Sequence, residues 1–230
     1  MDRKEILRKV KNGDMTVEEA DELLSFNKVL LMENYAKYDF MRERRTKIPE
    51  IIYAEGKDPE HVEKIVERVL AKKPFVLFSR ITKEQIPRLE KFSSTYSVTF
   101  GTGKQFCLVK HKDYEIKPKP DGGKVGIITA GTSDIPIAQE AKIVIEMMGS
   151  ETCLVNDVGV AGIHRLFNPL KDLLKQDVDV IIVAAGMEGA LPTVIAGLVD
   201  VPVIGLPIST GYGFGGKGQT ALRSMLQSCA

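Results

Sequence analysis

Residues 177–192, DVDVIIVAAGMEGALP, decide how this chain folds. An apolar run of strand length ends in small residues and passes into a glycine-flanked turn. The pattern occurs four times: KVGIITA (124–130), ETCLVN (151–156), DVDVIIVAA (177–185) and VPVIGLP (201–207), each followed by a helical segment or a glycine-rich loop. Short strands that are apolar throughout, alternating with helices, are buried on both faces. They predict a parallel α/β sheet covered on both sides.

In such a sheet, ligands meet the loops that leave the strand C-termini. The four loops are GTSDIP (131–136), DVGVAGIHR (157–165), GMEGALP (186–192) and STGYGFGGKG (209–218). The first offers Gly131, Thr132, Ser133 and Asp134. Its backbone N–H groups and hydroxyls suit an anion, and Asp134 with Pro136 equally suits an N-cap and an early-turn proline. The second places His164 beside Arg165 at the opening of the next helix. That pair is either an anion grip or a space-filling imidazole with a solvated guanidinium. The third puts Glu188 between Gly186 and Gly189, where a carboxylate can ligate a metal, activate a water, or merely favour a helix dipole by about 0.3–1 kcal/mol. The fourth has five glycines in ten residues and reads as a mobile loop or a plain connection.

Upstream of 124 the texture differs. DMTVEEADELLSF (14–26) carries a capping box, Thr16 with Glu19. DFMRERR (39–45) is basic and expected to be exposed. KDPEHVEKIVERVLAKK (57–73) predicts a helix capped by Asp58, with an apolar stripe of Val62, Ile65, Val66 and Val69. PFVLFSR (74–80) reads as a buried strand, TKEQIPRLEKF (82–92) as a short helix, and YSVTFGTGKQFCLV (96–109) as a hairpin turning at Gly101 and Gly103. The polar stretch 110–124, rich in Pro and Gly, contains a linker at 113–123. It separates an α+β domain over 1–112 from an α/β domain over 124–230.

Composition narrows the function. Lys and Arg total 32 against 31 Asp and Glu, so net charge gives no reason to expect nucleic acid or an acidic membrane as partner. No apolar run reaches bilayer length and the first residues lack a signal-peptide core, so a cytoplasmic protein is expected. The three cysteines, Cys107, Cys153 and Cys229, have no CxxC spacing and read as free thiols. Cys107 and Cys153 belong to core positions.

Together the loops carry a resemblance. GTSDIPIAQEA, AGIHR and GLVDVPVIGLP are similar to the GSxSD loop, the Ser-Ala-His-Arg motif and the closing strand of PurE-type carboxylases. The third loop departs from that pattern: it reads AGMEGALP, with Glu188, where PurE enzymes carry Ala-His-Leu-Pro-Gly. AGMEGALPTVIAGLVDVPVIGLP, the glycine loop with Tyr212, MLQSCA (225–230) and DFMRERRTKIPEIIYAEGK (39–57) resemble the LarB family. Those PurE-like relatives make pyridinium-3,5-biscarboxylic acid mononucleotide for the nickel-pincer nucleotide cofactor.

The LarB resemblance implies a PurE-like α/β domain and a homo-octamer. It implies carboxylation and phosphoanhydride hydrolysis of nicotinic acid adenine dinucleotide, with CO2 or bicarbonate as co-substrate. Mg2+ or another divalent cation is implied too, although no motif marks its ligands. Cys229 would form the covalent adduct, Glu188 would position the hydrolytic water, and His164 would bind the substrate anion or move a proton. Gly131, Thr132, Ser133, Asp134, Arg165, Gly186, Met187, Gly211 and Tyr212 would contact substrate. LarB chains usually continue past the position of Ala230, which implies a further C-terminal segment. Two other readings of the residues are an aminoimidazole ribonucleotide carboxylase or mutase, and a non-catalytic nucleotide-binding module.

Overall fold

A computed structural model describes residues 3–25, 29–32, 36–40, 42–213 and 215–230. Phe26, Met41 and Phe214, which fall in segments read above, lie outside the described residues. The chain divides into two compact units. The first is Met1–Thr99 with Cys107–Tyr114; the second is Phe100–Phe106 with Glu115–Ala230. The tip of the hairpin thus groups with the second unit, although the sequence places it in the first domain.

The first unit opens with α1 (Arg3–Asn12) and α2 (Val17–Ser25). The capping box at α2 forms in both directions: Thr16 N–H donates to Glu19 Oε2 at 2.9 Å, and Glu19 N–H donates to Thr16 Oγ1 at 3.1 Å. β1 (Val29–Met32) and β2 (Ala36–Asp39) form an antiparallel pair, followed by α3 (Arg42–Thr46). The basic stretch is therefore helical and partly paired: Arg45 bonds Asp39 at 2.6 Å, and Arg42 Nε lies 3.5 Å from Glu50.

β3 (Ile51–Tyr53), α4 (Pro59–Leu70), β4 (Phe75–Ser79), α5 (Ile86–Glu90), β5 (Ser97–Phe100) and β6 (Phe106–Lys110) complete this unit, with strand order β3-β4-β6-β5. Asp58 caps α4 by accepting Glu60 N–H at 2.7 Å, and the stripe Val62, Ile65, Val66 and Val69 is buried as its spacing predicts. The helix read over 82–92 narrows to α5, because Pro87 is tolerated only in a first turn.

The second unit is a parallel α/β sheet. It contains β7 (Lys124–Thr129), α6 (Ile135–Met148), β8 (Glu151–Val155), α7 (Phe167–Leu174), β9 (Val180–Ala185), α8 (Ala190–Ala196), β10 (Val203–Pro207) and α9 (Gln219–Leu226). The strand order is β10-β9-β7-β8, and every paired neighbour is parallel. One face packs Leu166, Leu170 and Leu173 around α7 with Leu191 and Ile195 of α8 and Met225 of α9. The other face packs Ala138, Ile137 and Ile145 of α6 on Ile127, Ala184 and Ile208. With α6 alone on that face, Ile204 of β10 stays 52% exposed. The order in which strands are added reverses between β7 and β9, with β8 on one side and β9 and β10 on the other, and the helices after β7 and β9 cover opposite faces. This is the switch point at which open α/β sheets hold ligands. No helix among the described residues is long and apolar enough to cross a membrane.

Candidate functional site

Backbone hydrogen bonds stitch the four strand ends together. Ala130 N–H donates to Ala184 O at 2.9 Å, and Ile208 N–H to Ala185 O at 3.0 Å. Val158 N–H donates to Thr129 O at 3.1 Å, and Gly159 N–H to Ala130 O at 2.8 Å. The first loop therefore contacts the second and third, and the third contacts the fourth, all along one edge of the sheet.

In the first loop Thr132 and Ser133 are exposed, but Asp134 is only 3% exposed. Its carboxylate does not cap α6. It folds back and accepts Gly131 N–H at 2.8 Å. Burial raises its pKa above the ordinary carboxylate value, and the Gly131 hydrogen bond opposes that rise. Asp134 thus shapes the turn that presents the two hydroxyls and the backbone of Gly131.

The second loop depends on Thr129, the fully buried last residue of β7. Its hydroxyl donates to Asn156 Oδ1 at 3.2 Å and accepts Asp157 N–H at 3.1 Å. Asp157 takes a left-handed backbone (φ 58°), which few side chains tolerate. Its carboxylate then holds Arg165 Nη1 at 2.8 Å. A weaker bond from Arg165 Nε to Gly162 O, at 3.4 Å, fixes the other side of the fork. The Nη2 donors have no partner among the described residues and are free for an anion. The sequence places His164 and Arg165 at the opening of a helix. They instead close a 3-10 turn, Val160–Arg165, kinked at Gly162, and α7 begins at Phe167. Both side chains are exposed.

Thr129→Val keeps the shape of this buried residue but leaves the Asp157 N–H without its acceptor. A loss of about 1–3 kcal/mol in unfolding free energy is expected. Thr129→Ser should recover most of it. Denaturant titration of the two variants checks this, and equal stabilities would remove Thr129 from the account.

The third loop is held tightly against the fourth. A Cβ on Gly186 would stand 2.5 Å from Thr210 O, and one on Gly189 (φ 66°) would stand 2.7 Å from Ala221 Cα, so both positions require glycine. Between them Met187 is left-handed (φ 51°), and Gly211 lies against it. Met187 and Glu188 point outward, and Glu188 has no hydrogen bond or ion pair among the described residues. Tyr212 is 83% exposed.

Cys229 stands apart from this rim. Gly189 meets Ala221 in the first turn of α9, Gly205 of β10 meets Met225, and Ser228 Oγ accepts the Thr193 hydroxyl at 2.9 Å. The exposed thiol therefore lies beyond the far end of α9, level with the body of α8. Among the described residues no hydrogen bond joins it to His164, Arg165 or Glu188. Cys107 is buried, and burial pushes its thiol well above the ordinary range. Cys153 is half-buried and donates to Gln176 Oε1 at 2.8 Å.

Among the described residues, no three His, Cys, Asp or Glu side chains gather to hold a metal ion.

Comparison with known proteins matches both units. Residues 30–105 match the model of the LarB/PurE-like N-terminal domain, and residues 124–230 match that of AIR carboxylase. An uncharacterized protein of Methanocaldococcus jannaschii is 43% identical over 99% of this chain and 88% of its own length. N5-carboxyaminoimidazole ribonucleotide mutases are more distant. That of Thermotoga maritima is 31% identical over 38% of this chain and 51% of the mutase, and that of Pyrococcus abyssi is 35% identical over 38% and 50%. The chain thus matches about half the length of these mutases.

Proposed function

This chain belongs to the LarB/PurE-like family, and from that we propose that it carboxylates nicotinic acid adenine dinucleotide and then hydrolyses it, yielding pyridinium-3,5-biscarboxylic acid mononucleotide and AMP. The single observation that carries this reading over a purine mutase is the LarB-type domain ahead of the AIR carboxylase-like one. Similarity to the mutases covers 36–41% of the chain.

The reaction needs covalent help. A cationic pyridinium is electron-poor and does not attack CO2. The Cys229 thiolate adds to ring C4, forming an S–C bond and neutralising the ring nitrogen. C5 is then the nucleophilic carbon of an enamine and forms a bond to CO2. Loss of the C5 proton and breakage of the S–C bond restore the aromatic ring and return the thiolate. Water then cleaves the phosphoanhydride, releasing AMP.

In this scheme Arg165, oriented by Asp157, binds the ring carboxylate or a phosphate. His164 beside it binds the same anion or receives the C5 proton. Gly131, Thr132 and Ser133 present backbone N–H groups and hydroxyls to phosphate, and Asp134 holds their turn from below. Gly186, Met187, Gly211 and Tyr212 form the wall where the third and fourth loops meet. A divalent cation would take most of its ligands from substrate phosphates and water, as Mg2+ usually does.

Mass spectrometry of products after incubation with nicotinic acid adenine dinucleotide, bicarbonate and Mg2+ tests the proposal. The biscarboxylated mononucleotide and AMP are expected. Unchanged dinucleotide, with consumption of aminoimidazole ribonucleotide instead, overturns it.

Assembly is a second expectation. The family resemblance implies a symmetric octamer, and the second unit leaves Phe167 (53%), Leu198 (48%) and Ile204 (52%) exposed, apolar side chains that such an assembly would cover. Light scattering should give an octameric mass; a stable monomer at micromolar concentration would refute it.

A further inference from the structure

Asn156 follows the last residue of β8, Val155, at the edge of the sheet where the four loops meet. Its side chain is exposed, yet one end of its amide is fixed. Thr129 has no exposed surface, so its hydroxyl proton needs an acceptor inside the protein. Asn156 Oδ1 takes it at 3.2 Å. With that oxygen turned inward onto Thr129, the planar amide turns Nδ2 outward. Its two N–H groups have no partner among the described residues. The same Thr129 hydroxyl accepts the N–H of Asp157, whose carboxylate holds Arg165 Nη1 at 2.8 Å and leaves the Nη2 donors free. One buried hydroxyl thus orients two planar donor groups on the rim, the amide of Asn156 and the guanidinium of Arg165.

Both groups offer only N–H to a ligand. The carboxylate beside them, Asp157, is already paired with Arg165. A ligand carboxylate is planar and acceptor-only, with an oxygen for each group. A carboxamide has one oxygen and one NH2, so whichever way it turns it sets N–H against N–H at one of the two. A phosphate would also accept from both. The phosphates, however, have the Gly131–Ser133 turn, with its backbone N–H groups and hydroxyls, on the neighbouring strand β7.

We propose that Asn156 is a specificity-determining residue. With Arg165 it brackets the ring carboxylate of nicotinic acid adenine dinucleotide and disfavours the carboxamide of nicotinamide adenine dinucleotide. This role rests on the reaction proposed above, which supplies the pyridinium substrate.

Calorimetry on the full chain, without bicarbonate, tests it with these two dinucleotides, which differ only in the ring substituent. Wild type should bind the acid about tenfold more tightly than the amide or better, as expected for a charge-assisted hydrogen bond. Asn156→Asp keeps the shape and the acceptor for Thr129 but replaces the NH2 with a charged oxygen. It should bind the acid about tenfold more weakly or worse, and the amide, which can donate to the new oxygen, as well as before or better. Equal weakening of both dinucleotides would assign Asn156 to a phosphate and overturn the proposal. An unchanged preference in Asn156→Asp, with the circular dichroism spectrum retained, would also overturn it and leave the reaction standing. Equal binding of the two by wild type, a result that needs no variant, does the same. Binding of neither dinucleotide by wild type would remove the reaction itself, and the role of Asn156 with it.

Discussion

Replacing Cys229 with alanine or serine is expected to lower carboxylation on the order of a thousandfold or more, as loss of a covalent nucleophile does elsewhere, while the dinucleotide still binds. The thiol must both attack and leave. Thiolates are intrinsically strong nucleophiles and can also leave. A serine alkoxide is rarely populated, and its adduct suits this addition poorly. Wild type with the dinucleotide should show near-ultraviolet absorbance from the dihydropyridine, and both variants should lack it. Cys107→Ala and Cys153→Ala should keep it, because the first thiol is buried and the second is engaged with Gln176. Carboxylation near the wild-type rate in Cys229→Ala would remove the covalent mechanism and favour the purine-type reaction.

The placement of Cys229 adds a condition. Arg165 follows β8 and Cys229 follows the helix packed beside β10, and these strands are the two edges of the sheet. At about 4.8 Å per strand, three steps separate them by about 14 Å. An Arg165 that promotes the thiolate would therefore come from another copy of the chain. Mixing Cys229→Ala with Arg165→Ala protein should then restore some activity that neither variant has alone. No recovery would place the thiol and the anion grip in one chain.

The second unit was readable because its strand runs are apolar throughout: such a run of four to seven residues bounded by glycine or asparagine has few other fates. Only the central strands β7 and β9 are largely buried, and the edge strands β8 and β10 stay partly exposed. KVGIITA, ETCLVN, DVDVIIVAA and VPVIGLP all became strands, and their C-terminal loops share one edge. What depends on pairing across the chain was not readable. VLLM at 29–32 is too short to separate strand from helix, and it forms β1 only by pairing with β2. The basic 39–45 stretch gave no sign that Arg45 would meet Asp39 or Arg42 approach Glu50. Thr129 was read as an ordinary strand residue, because its role lies in a hydroxyl contact with residues 156 and 157. The inward turn of Asp134 was hidden for a similar reason. An Asp two residues before Pro reads as an N-cap, and only the fold shows the carboxylate bonding backwards to Gly131.

Glu188→Gln is expected to separate the two half-reactions. The residue stands on a loop that has little freedom: Gly186 is closed against Thr210, Gly189 against Ala221, and Met187 is left-handed. Such a loop holds the side chain at a fixed place on the rim, exposed and without a partner among the described residues. A carboxylate so placed can orient or deprotonate a water attacking the phosphoanhydride. Loss of a general base typically lowers a rate by about 10²–10⁴-fold. The glutamine keeps the shape and an acceptor oxygen but removes the charge and the basicity. Carboxylation, which needs Cys229 rather than Glu188, should continue. The variant should therefore accumulate the carboxylated dinucleotide and release little AMP, both measurable by mass spectrometry in a single time course. If Glu188 only favours the positive end of α8, the substitution should shift stability by about 0.3–1 kcal/mol and leave AMP release unchanged. Unchanged AMP release would therefore assign Glu188 to the helix and leave the water to another group.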